Sequence, residues 1–452
     1  MKIKKVLPPP IKQVLKFARE KVIPFPYKKG LIFAKDYKFL MESQNWPLNR
    51  LKEYQWLKLK EILNHAYENV PYYRKLFLNN QIKLNDIQSF SDLKKIPILT
   101  KKDIRENFKE LIAKDFKKFK PSLFHTSGST GTPLEFYLDE KVQIWESAIV
   151  WRQFMWGGYK YGDKELCIRG RVLPNPNKST FPYLIKDNVL SISSFHLSEN
   201  SLKKYFTILL KFKPKIIRSY PSNLLLLTDY AKRIGIKIPS LKCILTSSEN
   251  LTKQIREKVE NYWGVRIFDW YGQGERVAAI GECEHHNYHQ IPEYSFLEFN
   301  KVNNKEYEIF ATHFHNKSMP LIRYKTNDLI DFPSTSKACA CGRNFPIIKS
   351  INGRKEDSVI TNDGRIVGRL DAALKYSKGI SLSQIVQKKK GEIEVKIIKG
   401  LNYSKQDLIT YEKELIKRLG PGIIIKFNIC KRIQRNAAGK LRFVISELKQ
   451  QV

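Results

Sequence analysis

Acidic residues, cysteines and long apolar runs are all scarce in this chain. Of 452 residues only 44 are Asp or Glu, against 81 Lys or Arg, and six are Cys. Six cysteines over that length exclude a disulfide framework as the basis of the fold. No stretch approaches about 18 consecutive apolar residues, which argues against a transmembrane helix. The start, Met1 to Lys5, is basic, but Pro8-Pro9-Pro10 interrupts the apolar run that a signal peptide needs. A cytoplasmic location is therefore expected. Internal repeats and low-complexity tracts are missing as well. The remaining composition, 42% hydrophobic and 28% charged, is that of an ordinary globular chain able to build a core. Its length allows two or three domains.

The shortage of acids leaves a formal net charge of +37, which favours anionic partners. The lysines are spread along the whole chain, however, and none of the common nucleic-acid-binding motifs occurs. A solvated lysine-rich surface is the plainer reading, and no specific nucleic acid is expected. The segment up to about Tyr37 mixes Lys with Phe, Ile and Leu. It could make peripheral contact with a membrane, with packing on its own domain the plainer alternative.

Periodicity separates two regions. Leu59, Ile62, Leu63 and Ala66 recur on one helical face within residues 50–70, and Asn69-Val70-Pro71-Tyr72-Tyr73 ends that helix. Residues 103–113 form a second short helix. Short apolar runs then alternate with helical patterns. Strands are expected at Ser122–His125, Leu134–Leu138, Glu165–Ile168, Ile216–Tyr220, Cys243–Thr246 and Arg266–Trp270. Helices are expected around Leu202–Leu210, over Asn223–Ile234, and over Thr252–Trp263, which stops at Gly264. Such alternation predicts an α/β fold with a sheet that is at least partly parallel. The last hundred residues read as a separate α+β unit, with strands at Glu392–Ile398 and Ile423–Ile429 around a helix at Lys405–Leu419. The expected division is a large N-terminal domain, 1–352, with mixed and parallel sheets flanked by helices, and a small mobile domain, 353–452.

The strongest local signal is Thr126-Ser127-Gly128-Ser129-Thr130-Gly131-Thr132-Pro133. Glycines let backbone N–H groups approach an anion, and hydroxyls add donors, so the composition suits a phosphate cradle. A Walker loop is excluded because the Gly-Lys-Ser/Thr ending is missing. On composition alone a polar hairpin turn explains it equally well.

The loop closely resembles the phosphate-binding signature of the adenylate-forming enzymes, and further signatures of that superfamily follow in order. They are Tyr271-Gly272-Gln273-Gly274-Glu275, Arg323-Tyr324-Lys325-Thr326-Asn327-Asp328, Gly353-Arg354-Lys355-Glu356-Asp357, and Arg435 through Gly439-Lys440. Asn69 to Arg74, Ile96 to Lys101 and Cys339-Ala340-Cys341-Gly342-Arg343 look like the phenylacetate–CoA ligase family, and within it the CapK branch associated with surface-polysaccharide clusters. The resemblance implies ATP-dependent activation of a carboxylic acid to an acyl-adenylate with release of pyrophosphate. Transfer to CoA, or to a sugar hydroxyl or amine, would follow. It also makes a homodimer plausible.

Under the resemblance each matching position has a role. Ser127, Gly128, Ser129, Thr130, Gly131 and Thr132 would hold the ATP phosphates. Tyr271 would lie on the adenine, with Gly272 allowing close approach, and Asp328 would accept hydrogen bonds from the ribose. Glu275 would bind Mg²⁺, a hard cation that wants carboxylate oxygen. Arg354 would sit at the ribose and domain junction, and Lys440 would neutralise charge at the α-phosphate. Ser248 and Glu249 stand where relatives have a Gly-Gly-Glu type segment beside the adenine. Asn327 replaces the usual Gly before Asp328, and so must take the backbone shape that Gly allowed. Glu356 stands at the hinge. The acid would be lined by residues such as Phe136, Trp145, Trp151 and Phe154.

Cys283, His285, His286 and His289 lie within seven residues, and Cys339 and Cys341 follow about fifty later. Two distant ligand pairs can close one tetrahedral zinc site. The favoured set is Cys283, His289, Cys339 and Cys341, which resembles a structural zinc site of some phenylacetate–CoA ligase relatives; reduced surface cysteines are the bland alternative. The whole chain has one competing reading from another class: a non-catalytic basic binding protein on a retained adenylation fold.

Overall fold

A computed structural model describes residues 25–126, 134–170, 173, 182–197, 199–333, 338–354, 359–362, 366–367, 370–377, 379–435 and 441–448. The Gly/Ser/Thr loop from Ser127 to Pro133, the hinge residue Glu356, Lys440 and the first 24 residues lie outside that set.

The N-terminal part opens with helices α1 (Leu31–Ser43), α2 (Leu48–Asn69), α3 (Pro71–Asn79) and α4 (Lys101–Glu106). Helix α2 buries Leu51, Leu59, Ile62, Leu63 and Ala66, the stripe expected from spacing. It stops at Val70, whose extended backbone is what a following proline imposes. The sequence marked 69–73 only as a stop. The same Pro71 also starts a new helix, because its missing N–H costs nothing at a first helical position. Helix α4 is shorter than the expected 103–113. A reciprocal cap between Thr100 and Asp103 fixes its start.

A hairpin of β1 (Ser122–His125) and β2 (Glu135–Leu138) leads into α5 (Glu140–Trp156). Then follow β3 (Glu165–Arg169), β4 (Tyr183–Lys186), β5 (Val189–Ser193), α6 (Glu199–Phe212), β6 (Ile216–Ser219), α7 (Pro221–Arg233), β7 (Cys243–Ser247), α8 (Lys253–Trp263), β8 (Arg266–Gly272), β9 (Ala279–Glu282) and β10 (Tyr288–Gln290). With β14 (Ile347–Ile348) these strands make a nine-stranded sheet, ordered β14-β10-β9-β8-β7-β6-β3-β5-β4. Strands β8, β7, β6, β3 and β5 run parallel, and the strands at both edges are antiparallel. Helices α6, α7 and α8 cover the parallel strands through an apolar core that includes Tyr205, Phe206, Leu224 and Trp263. Thr252 caps α8 at its start, and Gly264 ends it with φ +69°.

A second sheet is antiparallel, in the order β11 (Ser295–Lys301), β12 (Glu306–His313), β13 (Tyr324–Asp331), β15 (Ser350–Arg354). It shares a core with α2, α3 and the β1–β2 hairpin. Beyond a short pair, β16 (Val359–Ile360) and β17 (Ile366–Val367), come β18 (Ile380–Lys389), β19 (Glu392–Lys399), α9 (Lys405–Leu419), β20 (Ile424–Ile429) and β21 (Val444–Ser446). This last sheet, ordered β20-β19-β18-β21, encloses its own core of Ile385, Val395, Tyr411 and Leu415. The α/β class and the α+β character of the tail match the expectation from sequence. No helix of the described residues is long and apolar enough to cross a membrane.

One buried ion pair ties the N-terminal helices together. Arg152 on α5 donates to Glu293 at 2.7 Å and to the Leu40 carbonyl at 2.9 Å, and Ser43 also donates to Glu293 at 2.7 Å. Both charged side chains are fully buried. Removing one partner leaves the other charge uncompensated, so Arg152→Ala is expected to cost about 3–5 kcal/mol in urea unfolding. The paired replacement Arg152→Met with Glu293→Leu should recover most of that loss. A cost below about 1 kcal/mol for the single change would contradict this account.

Candidate active site

The parallel strands deliver their C-terminal ends to one rim, where α/β sheets bind ligands. Tyr271 and Gly272 end β8, Ser247 ends β7, and Arg169 ends β3. A cavity of about 470 Å³ opens at the β8 end and is closed by the C-terminal unit. Ser248, Glu249, Tyr271, Gly272, Glu275 and Asp328, spread over eighty residues of sequence, all line it, and Leu441, next after Lys440, lines it too.

Two phenol–carboxylate bonds hold its walls. Tyr271 donates to Asp328 Oδ2 at 2.7 Å, joining the nine-stranded sheet to the four-stranded one. Gln273 Nε2 donates to the same oxygen at 3.3 Å. Tyr324 donates to Glu275 Oε1 at 2.8 Å, and Glu275 is buried. Asn327 has φ +62°, the left-handed geometry that Asn tolerates, so it has taken the backbone shape expected of a Gly at that position. Ser248 is also left-handed, at φ +74°. Arg354 pairs through its backbone with Asp328, and its side chain lies outside the described set. Gly272 has little room for anything larger, since a Cβ there would lie 3.0 Å from Trp270 Nε1.

Glu249 faces this cavity in a way the sequence did not suggest. Its Oε1 accepts from the Leu441 backbone N–H at 2.6 Å, its Oε2 accepts from the Ser222 N–H at 3.0 Å, and Arg435 stands 3.6 Å away. Ser381 adds a bond to Asp229 at 2.7 Å, and Leu225, Leu382 and Ile433 form a small apolar seam. Glu249 is thus a clasp between the C-terminal unit and α7. No residue pattern in the sequence marks such a contact.

A neighbouring cavity of about 380 Å³ shares Gly272, Gln273 and Gly274 with the first. Of the four aromatic residues expected around the acid, Phe136 and Phe154 line this cavity and Trp145 and Trp151 do not. Trp145 is buried in the core around α1, and Trp151 packs with Phe25, Tyr159 and Tyr161. Helix α5 turns those rings to its other faces, which aromatic content alone cannot foresee.

The predicted metal set converges. The ligand atoms of Cys283, His289, Cys339 and Cys341 all lie within 4.8 Å of one another. Cys283 Sγ is 3.7 Å from Cys339 Sγ, and Cys341 Sγ is 3.5 Å from His289 Nε2. Tetrahedral zinc, with its usual bond lengths to sulfur and nitrogen, separates ligand atoms by roughly 3.5–3.8 Å. His289 Nδ1 lies 3.0 Å from the Phe345 carbonyl, which orients Nε2 toward the thiols. The His285 N–H and the Asn287 side chain donate to the sulfurs of Cys283 and Cys339. His286 turns away, to Glu282 and Arg256 at 3.1 Å each. Burial pushes the Cys283 thiol up to about 12, so a cation is needed to hold it as thiolate. The donor set and spacing fit Zn²⁺ bound structurally, with no open position for chemistry.

Between this cluster and the β8 wall of the larger cavity lies a buried polar chain. Asp269 accepts from Thr246 at 2.6 Å and from Tyr288 at 3.0 Å, and its own N–H donates to Glu282 at 2.9 Å. Burial pushes the Asp269 carboxyl up to about 6.

Comparison with known proteins finds similar chains and a similar fold. A family model described as the CapK C-terminal domain matches residues 359–447. The chain is 26% identical over 410 residues to Protein CapK of Staphylococcus aureus, covering 89% of this chain and 90% of that protein. It is 28% identical over 328 residues to the phenylacetate-coenzyme A ligase of Aromatoleum evansii, covering 69% and 72% respectively. Among solved structures, a 2-hydroxyisobutyryl-CoA ligase in the postadenylation state, in complex with 2-HIB-AMP, superposes with a TM-score of 0.66 at 18% identity, covering 89% of this chain and 91% of that one.

Two outcomes follow. Chelation, or Cys339→Ser, should release about one zinc per chain and lower the melting temperature. Metal analysis finding none in protein grown with zinc would refute the site. For Asp269, a folded pKa above the unfolded one adds stability that is complete below about pH 4 and is lost as pH rises through 6. Asp269→Asn should therefore flatten the fall in stability between pH 4 and 7, and an unchanged profile would contradict the shift.

Proposed function

We propose that this chain, an adenylate-forming, phenylacetate–CoA ligase-like and CapK-like protein, activates a carboxylic acid with ATP and passes the acyl group to CoA or another nucleophile. The observation that carries the reading is the convergence of Tyr271, Glu275 and Asp328, from two separate sequence signatures, on one cavity that the residue after Lys440, at the end of a third, also lines.

In the first step a carboxylate oxygen attacks the α-phosphorus of ATP, an O–P bond forms, and pyrophosphate leaves with the bridging oxygen. No general base is needed, because the acid is already ionised near neutral pH. Tyr271 is the adenine platform, Asp328 accepts from the ribose, and Ser127 to Thr132 cradle the phosphates. Arg354 stands at the junction with the ribose. Lys440 meets charge that builds in the transition state, where fixed electrostatics act most strongly. Mg²⁺, held by Glu275, would neutralise phosphate charge. In the second step a thiol, amine or hydroxyl attacks the acyl carbon, and AMP leaves.

The one site must serve both steps, which is why residues 353–452 are read as a unit that moves against residues 1–352. The Glu249–Leu441 clasp and the seam at Leu225 supply the docked arrangement for adenylation. The CapK resemblance favours an acceptor in surface-polysaccharide chemistry. The Cys283 cluster holds Zn²⁺ as a structural ion, and the work is done in the cytoplasm.

Acid-dependent pyrophosphate exchange with aryl, fatty and amino acids tests the reading. Lys440→Ala is expected to lower exchange by about 10²–10³-fold, while acyl transfer from supplied acyl-adenylate stays near the unmutated rate. Failure of Mg·ATP at millimolar concentration to raise the melting temperature would sink the proposal, because any ligand of the folded state must do so.

A further inference from the structure

The second cavity says something about the acid. Its walls at Phe136, Val150 and Phe154 are apolar, but three guanidiniums also line it: Arg169, Arg218 and Arg276. Two of them are matched. Arg218 Nε donates to Glu165 at 2.7 Å, and Arg276 Nε meets Glu146 at 2.5 Å. Arg169 has no carboxylate partner among the described residues, and its guanidinium lies over the Tyr220 ring at 4.9 Å. No lysine among the described residues lines the cavity. Counting Glu165 with Glu146, the balance among the described residues is three cations against two anions, a surplus of one at Arg169.

A second observation points the same way. Arg276 Nη1 is buried with no hydrogen-bond partner among the described residues. Leaving a buried donor of a charged group unmade is costly, so such a group normally has a partner or awaits one. Glu146 occupies the Nε side of the same guanidinium and leaves Nη1 for something else.

Register sets the scale. Arg169 follows Ile168, which pairs with Ser219 on β6; Ser219 pairs with Thr246 on β7, and Thr246 with Asp269 on β8. Three strand spacings therefore separate the backbone of Arg169 from the β8 end that borders the nucleotide cavity, about 14 Å. An acid activated at β8 reaches toward Arg169 through the Phe136–Phe154 slot with a short chain.

We propose that the acid activated here carries a second anionic group at the far end of a short chain, bound by Arg169 and Arg276, and that Arg169 sets this specificity. The inference rests on the adenylation reading above. Its chemistry is shared by dicarboxylates and by acids bearing a phosphate, so the assay includes both.

The test uses the full chain. Mg·ATP binding is measured by calorimetry, and pyrophosphate exchange is compared for glutarate, 4-phosphobutanoate and their monoanionic counterpart pentanoate. At least one doubly anionic acid is expected to exceed pentanoate about tenfold or more in kcat/KM, since a site built around a polar group rejects the analogue that lacks it. Arg169→Met should raise KM for the preferred acid about tenfold with kcat within about twofold. Arg169→Lys should recover part of the loss, and it keeps the test open should the methionine variant fail to fold. Arg169→Glu should shift preference toward 5-aminopentanoate, which a merely structural arginine would not do. If Mg·ATP binds but pentanoate is used as well as the diacids, or no doubly anionic acid supports exchange, or the Arg169 variants keep their preference, this inference is overturned and the adenylation reading stands. Absence of Mg·ATP binding overturns both.

Discussion

The hydrogen bond from Tyr271 to Asp328 is the constraint around which the site is arranged. It joins the last residues of a buried parallel strand to the bulged strand β13 of a separate antiparallel sheet, at 2.7 Å. Tyr324 and Glu275 repeat the arrangement in the opposite sense, with the phenol on β13 and the carboxylate just beyond β8. Two sheets with different cores are thereby locked at one edge, and the cavity is the space their junction leaves. The left-handed residue Asn327 sits between Tyr324 and Asp328, where β13 changes register. A β-bulge beside a site re-aims side chains, and that is its effect here.

Much of this was readable before any coordinates. The central strands came out within a residue or two, because strands buried on both faces read as plain apolar runs. The convergence of Cys283, His289, Cys339 and Cys341 was legible because two pairs of thiol and imidazole groups at short spacing suit one tetrahedral site. The antiparallel sheet was not. Strand β12 carries Glu306 and Glu308, β13 carries Lys325 and Asp331, and register shifts at Glu308/Phe310 and Leu329/Ile330 break the alternation that marks a half-buried strand. Strand β18 escaped for a related reason: Ser381, Ser383, Gln384 and Gln387 are buried in it, so it lacks an apolar pattern. Helix α5 hides Arg152 and Gln153 in the same way. Buried polar groups are satisfied by partners far away in sequence, and single-sequence periodicity has no access to those partners.

The hairpin β9–β10 shows how a structural metal would serve a site it does not touch. Its turn begins with Cys283 and its second strand carries His289, while Glu282 and Tyr288 on the two strands enter the chain of bonds that ends at Asp269 and Thr246. Those residues back the β8 rim from which Tyr271 and Gly272 project. A tetrahedral ion at this hairpin would limit how far β9 can slide against β8, and so would preserve the register Trp270–Gly281, Tyr271–Ile280 and Gly272–Ala279. The energy of such an ion, on the order of 10 kcal/mol or more in small domains, exceeds what the few hydrogen bonds of a three-residue strand can supply.

Arg276 joins the two cavities in one more respect. It follows Glu275 directly, so the residue read as the Mg²⁺ ligand and a guanidinium of the cavity proposed for the acid share a single turn of chain. Its pairing with Glu146 on α5 fixes that turn from outside. A displacement of α5 would therefore move Arg276 and Glu275 together, and the positions of acid and phosphate would stay coupled. Catalysis by positioning depends on holding two reactants to within fractions of an ångström. A shared turn pinned by one half-buried ion pair achieves that with fewer independent parts than two separately anchored pockets would need.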